Sequence, residues 1–141
     1  MGDKNMTKAA REAFLADVHV GVLGVERPDG PPLVVPVWYS YERGGDVTIL
    51  TSGASLKGRL LTAAGQASLC AQDEALPYKY VSVEGPVATE PLAHDAQSEV
   101  ERMAIRYLGK DMGRRYADAE IADDEIKVTL TPERWFTVDY S

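Results

Sequence analysis

The residues best suited to chemistry lie between Thr51 and Arg59, in the stretch TSGASLKGR. Three hydroxyls (Thr51, Ser52 and Ser55) stand close to two cations, Lys57 and Arg59. Val47–Ser52 alternates apolar and small polar side chains like a half-buried strand, and Gly53 breaks it. From Ser55 the pattern turns helical, with Leu56, Leu60, Ala63 and Ala64 on one stripe and Gly65 closing it. The first amides of a helix have no partner within it, and its dipole disfavours cations there by roughly 0.3–1 kcal/mol each. Cations and donors gathered at such an end make an anion site, most often for phosphate. The plainer reading of the same residues is a solvated Lys57 and Arg59 behind an ordinary Ser55 N-cap. The spacing is not that of a P-loop.

Other reactive side chains are sparse. Tyr39, Tyr78 and Tyr80 are candidate proton donors or rim residues, and Trp38 and Trp135 could wall a flat ligand or fill core. Trp38 is the one assigned to a wall. The lone Cys70 falls in a predicted strand as a small core residue and excludes an internal disulfide framework. His19 and His94 are far apart with no ligand spacing around them, so no metal site is expected.

With 22 acidic and 15 basic residues the net charge is −7. That argues against non-specific binding to nucleic acid or to an anionic membrane, so an anionic ligand needs a local cluster. No apolar run approaches the ~20 residues of a membrane span, and the N-terminus lacks an apolar signal core. Together with the single cysteine this points to the cytoplasm. The 141 residues suit one domain, 1–141.

The elements that must position the Thr51–Arg59 stretch are mostly strands. A helix is expected over Thr7–Asp17, then a strand over His19–Glu26, a turn at RPDGPP and a long apolar strand over Leu33–Glu42. Pro36 makes its position an edge, a bulge or a ligand-facing gap. The RGGD turn leads to the Val47 strand, completing a three-stranded meander. Further strands are expected over Gln66–Gln72, from Lys79 past a Gly85-Pro86 kink to Thr89, over Ile126–Thr131 and over Arg134–Tyr140. Pro91–Leu108 reads as the longest helix, and Lys110–Asp124 as a polar loop with one helical turn. The result is a mainly β fold of six or seven strands. It is an antiparallel closed or split barrel with a short helix after the third strand and a longer one before the last pair. A barrel this small fills with side chains, so a ligand would lie outside it, in a groove or at a subunit interface.

The ordered set of RPDGPP, PVWY, TSGASLKGRL, YVSVEGPV, a helix and a terminal ERWFTVDY resembles the pyridoxamine 5′-phosphate oxidase-like, FMN-binding split-barrel superfamily. It is closest to the actinobacterial branch that includes enzymes using the deazaflavin F420. The resemblance spans about Arg11 to Tyr140. It implies a homodimer with two cofactor sites at the subunit interface. Val35, Pro36, Val37 and Trp38 would run along the flavin or deazaflavin ring. Thr51, Ser52, Ser55 and Lys57 would hold the cofactor phosphate, with Arg59 a further basic residue toward an acidic cofactor tail. The chain lacks the arginine- and histidine-containing C-terminal segment of biosynthetic pyridoxamine phosphate oxidases, which counts against pyridoxine chemistry. The function implied is an oxidoreductase that uses F420 or FMN to pass hydride or electrons to a small organic acceptor, such as an activated alkene, a quinone or a tetrapyrrole. No side chain is required as acid or base. The alternatives are a flavin-binding carrier without turnover, a pyridoxamine-phosphate-oxidase-like FMN enzyme, and a structural dimer module that has lost its cofactor.

Overall fold

The long apolar run Leu33–Glu42 does not form one strand. The computed structural model describes residues 4–92, 96–120 and 124–141. In it the run is divided between β2 (Gly30–Val37) and β3 (Ser40–Tyr41), with Trp38 and Tyr39 outside both. Before them come α1 (Lys8–Ala16) and β1 (Gly21–Arg27). After them come β4 (Val47–Ser52), α2 (Leu56–Ala64), β5 (Gln66–Asp73), β6 (Lys79–Pro91), α3 (Ala96–Leu108), α4 (Lys110–Glu120), β7 (Glu125–Leu130) and β8 (Arg134–Asp139). Splitting one strand raises the six or seven expected to eight among the described residues.

The break also replaces the expected meander. β2 pairs with β1, β3 pairs with β4, and the hydrogen-bonded order is β2-β1-β5-β6-β7-β4-β3, with β8 on β6. All pairings are antiparallel. β2 and β3 thus stand at opposite ends of the path, although only Trp38 and Tyr39 separate them in the chain. Two residues span less than about 11 Å, so the sheet must curl until its ends meet. The covalent chain closes the barrel where no ladder does, and the fold is a split barrel. Pro36 sits on β2, an end strand of the path, where its missing N–H leaves no ladder bond unmade. β4 pairs with β3 only at Val47 and Thr48 but with β7 along its whole length. Beyond Thr48, therefore, one edge of β4 borders the split.

β6 ties the two halves of the barrel together. Residues 79–86 pair with β5, residues 79–84 also pair with β8, and residues 87–91 pair with β7. The change occurs at the expected Gly85-Pro86 kink. A Cβ on Gly85 would lie 1.9 Å from the Thr131 carbonyl oxygen, so only glycine admits that crossing. β6 also runs on to Pro91, opposite Ile126, and so takes the residue expected to start the long helix.

Strand alternation fills the interior. Val47 and Ile49, Leu69 and Ala71, Val81 and Val83, and Val128 and Leu130 are fully buried or nearly so. Leu61 of α2 is buried with them and plugs one side of the barrel. Each such aliphatic side chain contributes about 1.5–3 kcal/mol relative to exposure.

The segment read as a polar loop after Leu108 is instead the helix α4. Gly109, at φ 85°, ends α3 and reverses the chain. The signal was hidden because the buried positions of α4 are Gly113 and Ala117, residues too small to register as an apolar stripe. Among the described residues, no helix is long and apolar enough to cross a membrane.

Candidate functional site

The β4–α2 turn is built by short-range hydrogen bonds. Ser55 is the N-cap of α2: its Oγ accepts from the Gly58 N–H at 3.0 Å and donates to the Ser52 carbonyl at 2.7 Å. The helix can approach the turn this closely because position 58 is glycine. A Cβ there would lie 2.2 Å from the Ser52 oxygen and 3.1 Å from the Gly53 Cα. Thr51 is buried, with its Oγ1 3.5 Å from the Ser55 Oγ. Gly65, at φ 69°, ends the helix. The structure therefore brings Thr51, Ser52 and Ser55 together with the first turn of α2, where Lys57 is half-buried. Arg59 is exposed, two residues on and around the helix.

Two carboxylates from the start of β7 share this corner. Asp124 Oδ2 accepts from the Ser52 hydroxyl and, at 3.0 Å, from the Ala54 N–H, while its carbonyl accepts from the Gly53 N–H at 2.9 Å. The hydrogen bond from Ser52, then that from Ala54, holds the Asp124 carboxyl below its ordinary value. Burial, and then the neighbouring Asp124, raises Glu125, while Lys57 draws it back. Thus Lys57 faces acidic company. Two donors of the turn already hold an oxyanion oxygen, so its donor set suits an oxyanion. Sequence reasoning missed Asp124 because 72 residues separate it from Ser52, and only the β4–β7 pairing of Ser52 with Glu125 brings them together.

The β2 residues are divided by the strand's alternation. Val37 is buried, Val35 is half-buried on the same face, and Pro36 is exposed on the other. Trp38 leaves the ladder and stacks on Tyr107 of α3, with ring centroids 5.0 Å apart and planes 7° apart; Tyr116 of α4 lies 5.3 Å away at 49°. Among the described residues, no hydrogen bond or ring contact joins Val35–Trp38 to the Thr51–Arg59 cluster. Both groups border the split, one on β2 and one at the end of β4.

The corner itself is held by α3. The Tyr39 N–H donates to the Tyr107 Oη at 3.0 Å, and the Tyr107 Oη lies 2.6 Å from the His19 carbonyl and 2.9 Å from the Tyr39 carbonyl. Arg106 donates from Nε to the Tyr39 carbonyl at 3.0 Å, and from Nη2 to the Ala16 and Asp17 carbonyls at 3.1 and 2.8 Å. Arg106 and Tyr107 were not among the candidate residues, and Tyr107 reads in sequence as core packing.

The remaining candidates resolve individually. Tyr39 is fully buried and donates to the Leu15 carbonyl at 2.7 Å, so it is no ligand donor; burial, followed by Tyr107, pushes its phenol up. Tyr78 and Tyr80 are exposed. Trp135 is half-buried against the core with the Arg11 guanidinium 4.5 Å over its ring. Cys70 is not a core residue: it is half-buried on the outer face of β5, and burial raises its thiol. His19 stacks on Phe14 and bonds its carbonyl at 3.1 Å, and His94 lies outside the described residues. Two clefts open elsewhere. One, of about 580 Å³, is lined by Glu26, Ser68, Glu84 and Glu133; the other, of about 550 Å³, lies between α3 and β3–β4–β7. Neither includes the Thr51–Arg59 cluster.

Residues 6–139 match the family described as pyridoxamine 5′-phosphate oxidase. Among solved structures, a conserved hypothetical protein from Mycobacterium tuberculosis is 23% identical, covering 99% of this chain and 89% of its own, with a TM-score of 0.80. A protein described as an F420 reductase is 21% identical, with 89% and 94% covered and a TM-score of 0.70. A FAD-binding protein from Mesorhizobium loti is 18% identical, with 98% of each chain covered and a TM-score of 0.72. No curated protein matches the chain.

Proposed function

The chain belongs to the pyridoxamine 5′-phosphate oxidase family, and on that premise we propose that it is a cytoplasmic oxidoreductase that binds a flavin-type cofactor, F420 or FMN. The observation that carries the reading is the β4–α2 turn. It brings a half-buried lysine, the first amides of a helix and a cluster of hydroxyls to the edge of the split, and two of its donors already hold a carboxylate. Lys57, Thr51, Ser52, Ser55 and the first turn of α2 hold the cofactor phosphate. Val35, Pro36, Val37 and Trp38 run along its ring. Arg59, exposed beyond the first turn, is left for the acidic tail that F420 carries and FMN lacks. When bound, the cofactor supplies the hydride or electrons that reach an activated alkene, a quinone or a tetrapyrrole.

The whole chain, 1–141, acts as one domain and works as a homodimer. Support for the dimer comes from the outer face of β1, β2, β5, β6 and β8. The register aligns Pro36, Val22, Cys70, Ser82 and Phe136 in one cross-strand row, with Tyr80 and Val138 paired beside it. Phe136 is 52% exposed and Tyr80 37%, an apolar surface of the kind that marks protein contacts.

A visible absorption spectrum followed by fluorescence titration with FMN and with F420 tests the reading. Micromolar binding of one names the cofactor. Binding of neither, with the dimer intact, refutes it.

A further inference from the structure

We propose that Tyr107 and Arg106 of α3 are positioning residues for the cofactor strand, an inference that rests on the reading above. At the β2–β3 corner the chain passes from one end of the sheet path to the other, and the ladder stops. Tyr39 therefore has neither a strand donor nor a strand acceptor, and a buried backbone group without a partner is costly. The side chains of α3 replace the missing strand. Tyr107 takes the Tyr39 N–H, and Arg106 and Tyr107 both reach the Tyr39 carbonyl. The same two residues extend the tie to three other carbonyls, at Ala16 and Asp17 at the C-terminal end of α1 and at His19 before β1.

Trp38, the residue of the PVWY strand next to this corner, is held flat against the Tyr107 ring. Its orientation is therefore set by α3 and not by the sheet. The position of the β2 end relative to β4, and so the width of the split, depends on the same bonds. Packing into the main barrel core does not supply this restraint. The main barrel core contains none of the buried residues of α3 and α4 (Val100, Met103, Ala104, Ala117). A ring lying along Val35–Trp38 meets a strand end whose geometry Tyr107 and Arg106 maintain.

The test uses the full chain with Tyr107→Phe, which keeps the ring and its stacking on Trp38 but removes the hydroxyl. Three readouts are taken: hydrogen exchange at the Tyr39 amide, affinity for FMN and F420, and the visible circular dichroism of the bound cofactor. The expected result is about tenfold faster exchange at Tyr39, affinity weaker by about tenfold, an altered dichroism and a Tm lowered by a few degrees, because a buried amide loses its partner. Unchanged exchange at Tyr39 overturns the inference, because the hydroxyl then does not hold the corner. Faster exchange with unchanged affinity and dichroism also overturns it, because the corner then does not position the cofactor. Should Tyr107→Phe fail to fold, Arg106→Lys is read by the same affinity and dichroism, with unchanged values again overturning it. Failure of the wild-type protein to bind either cofactor refutes the cofactor reading and this inference with it; failure confined to the variants' predicted effects refutes this inference alone.

Discussion

Gly58→Ala is a substitution on which two physical arguments disagree in sign. Gly58 lies inside α2, where alanine is favoured over glycine by about 1 kcal/mol. Propensity alone therefore makes the variant more stable. The contacts say otherwise. The new Cβ would stand 2.2 Å from the Ser52 carbonyl oxygen and 3.1 Å from the Gly53 Cα, both backbone atoms that cannot swing aside. Restoring an ordinary contact requires the first turn of α2 to retreat by about 1 Å, and overpacking of this kind costs about 1–3 kcal/mol. The retreat also breaks the Ser55 cap, which bonds Gly58 at 3.0 Å and Ser52 at 2.7 Å, at about 1 kcal/mol more. Against the propensity gain, the net loss is about 2 kcal/mol, or about 4–8 °C in Tm for a chain of this size. Thermal and urea unfolding measure it. Ser55→Ala, costly alone, should add little on top of Gly58→Ala, because the cap is already broken. An unchanged or raised Tm for Gly58→Ala would refute the close approach and, with it, the geometry assigned to the candidate phosphate turn.

Lys57→Ala should weaken cofactor binding by about 1.5–3 kcal/mol, the value of a charge-assisted hydrogen bond, and unchanged affinity in a fluorescence titration would remove Lys57 from the site. Asp124 titrates below its ordinary value, so its contribution is present above that value and lost as pH falls through the lower native one. The Tm advantage of wild type over Asp124→Ala should therefore shrink as pH falls below about 4, and a difference independent of pH would mean that the carboxylate does not brace the turn. Phe136→Glu puts a charge at the β8 end of the exposed cross-strand row and should yield monomers by light scattering; a persistent dimer would move the interface elsewhere.

Local pattern made much of this protein legible. The Val47–Ser52 alternation, the Ser55 cap, the Gly65 stop and the Gly85-Pro86 kink each depend on residues within a few positions of one another, and each is found where the sequence implies it. The hydroxyls and first-turn lysine of the candidate turn were visible for the same reason. The chain break at Trp38 and Tyr39 was not. Apart from Pro36, every residue from Leu33 to Tyr41 suits a strand, and what ends β2 is the need to cross from one end of the sheet to the other while α3 supplies the bonds the ladder loses. Likewise α4 was hidden because Gly113 and Ala117 face a neighbouring helix whose closeness no local signal records.

Most of the strands and helices follow from the sequence, because backbone periodicity and capping are set by adjacent side chains. The tertiary structure alone decided that Asp124 braces the Ser52 turn and that Tyr107 and Arg106 pin the edge of the split. Those contacts join residues 67 to 72 positions apart, and they exist only because strand pairing and barrel closure bring distant edges to the same place.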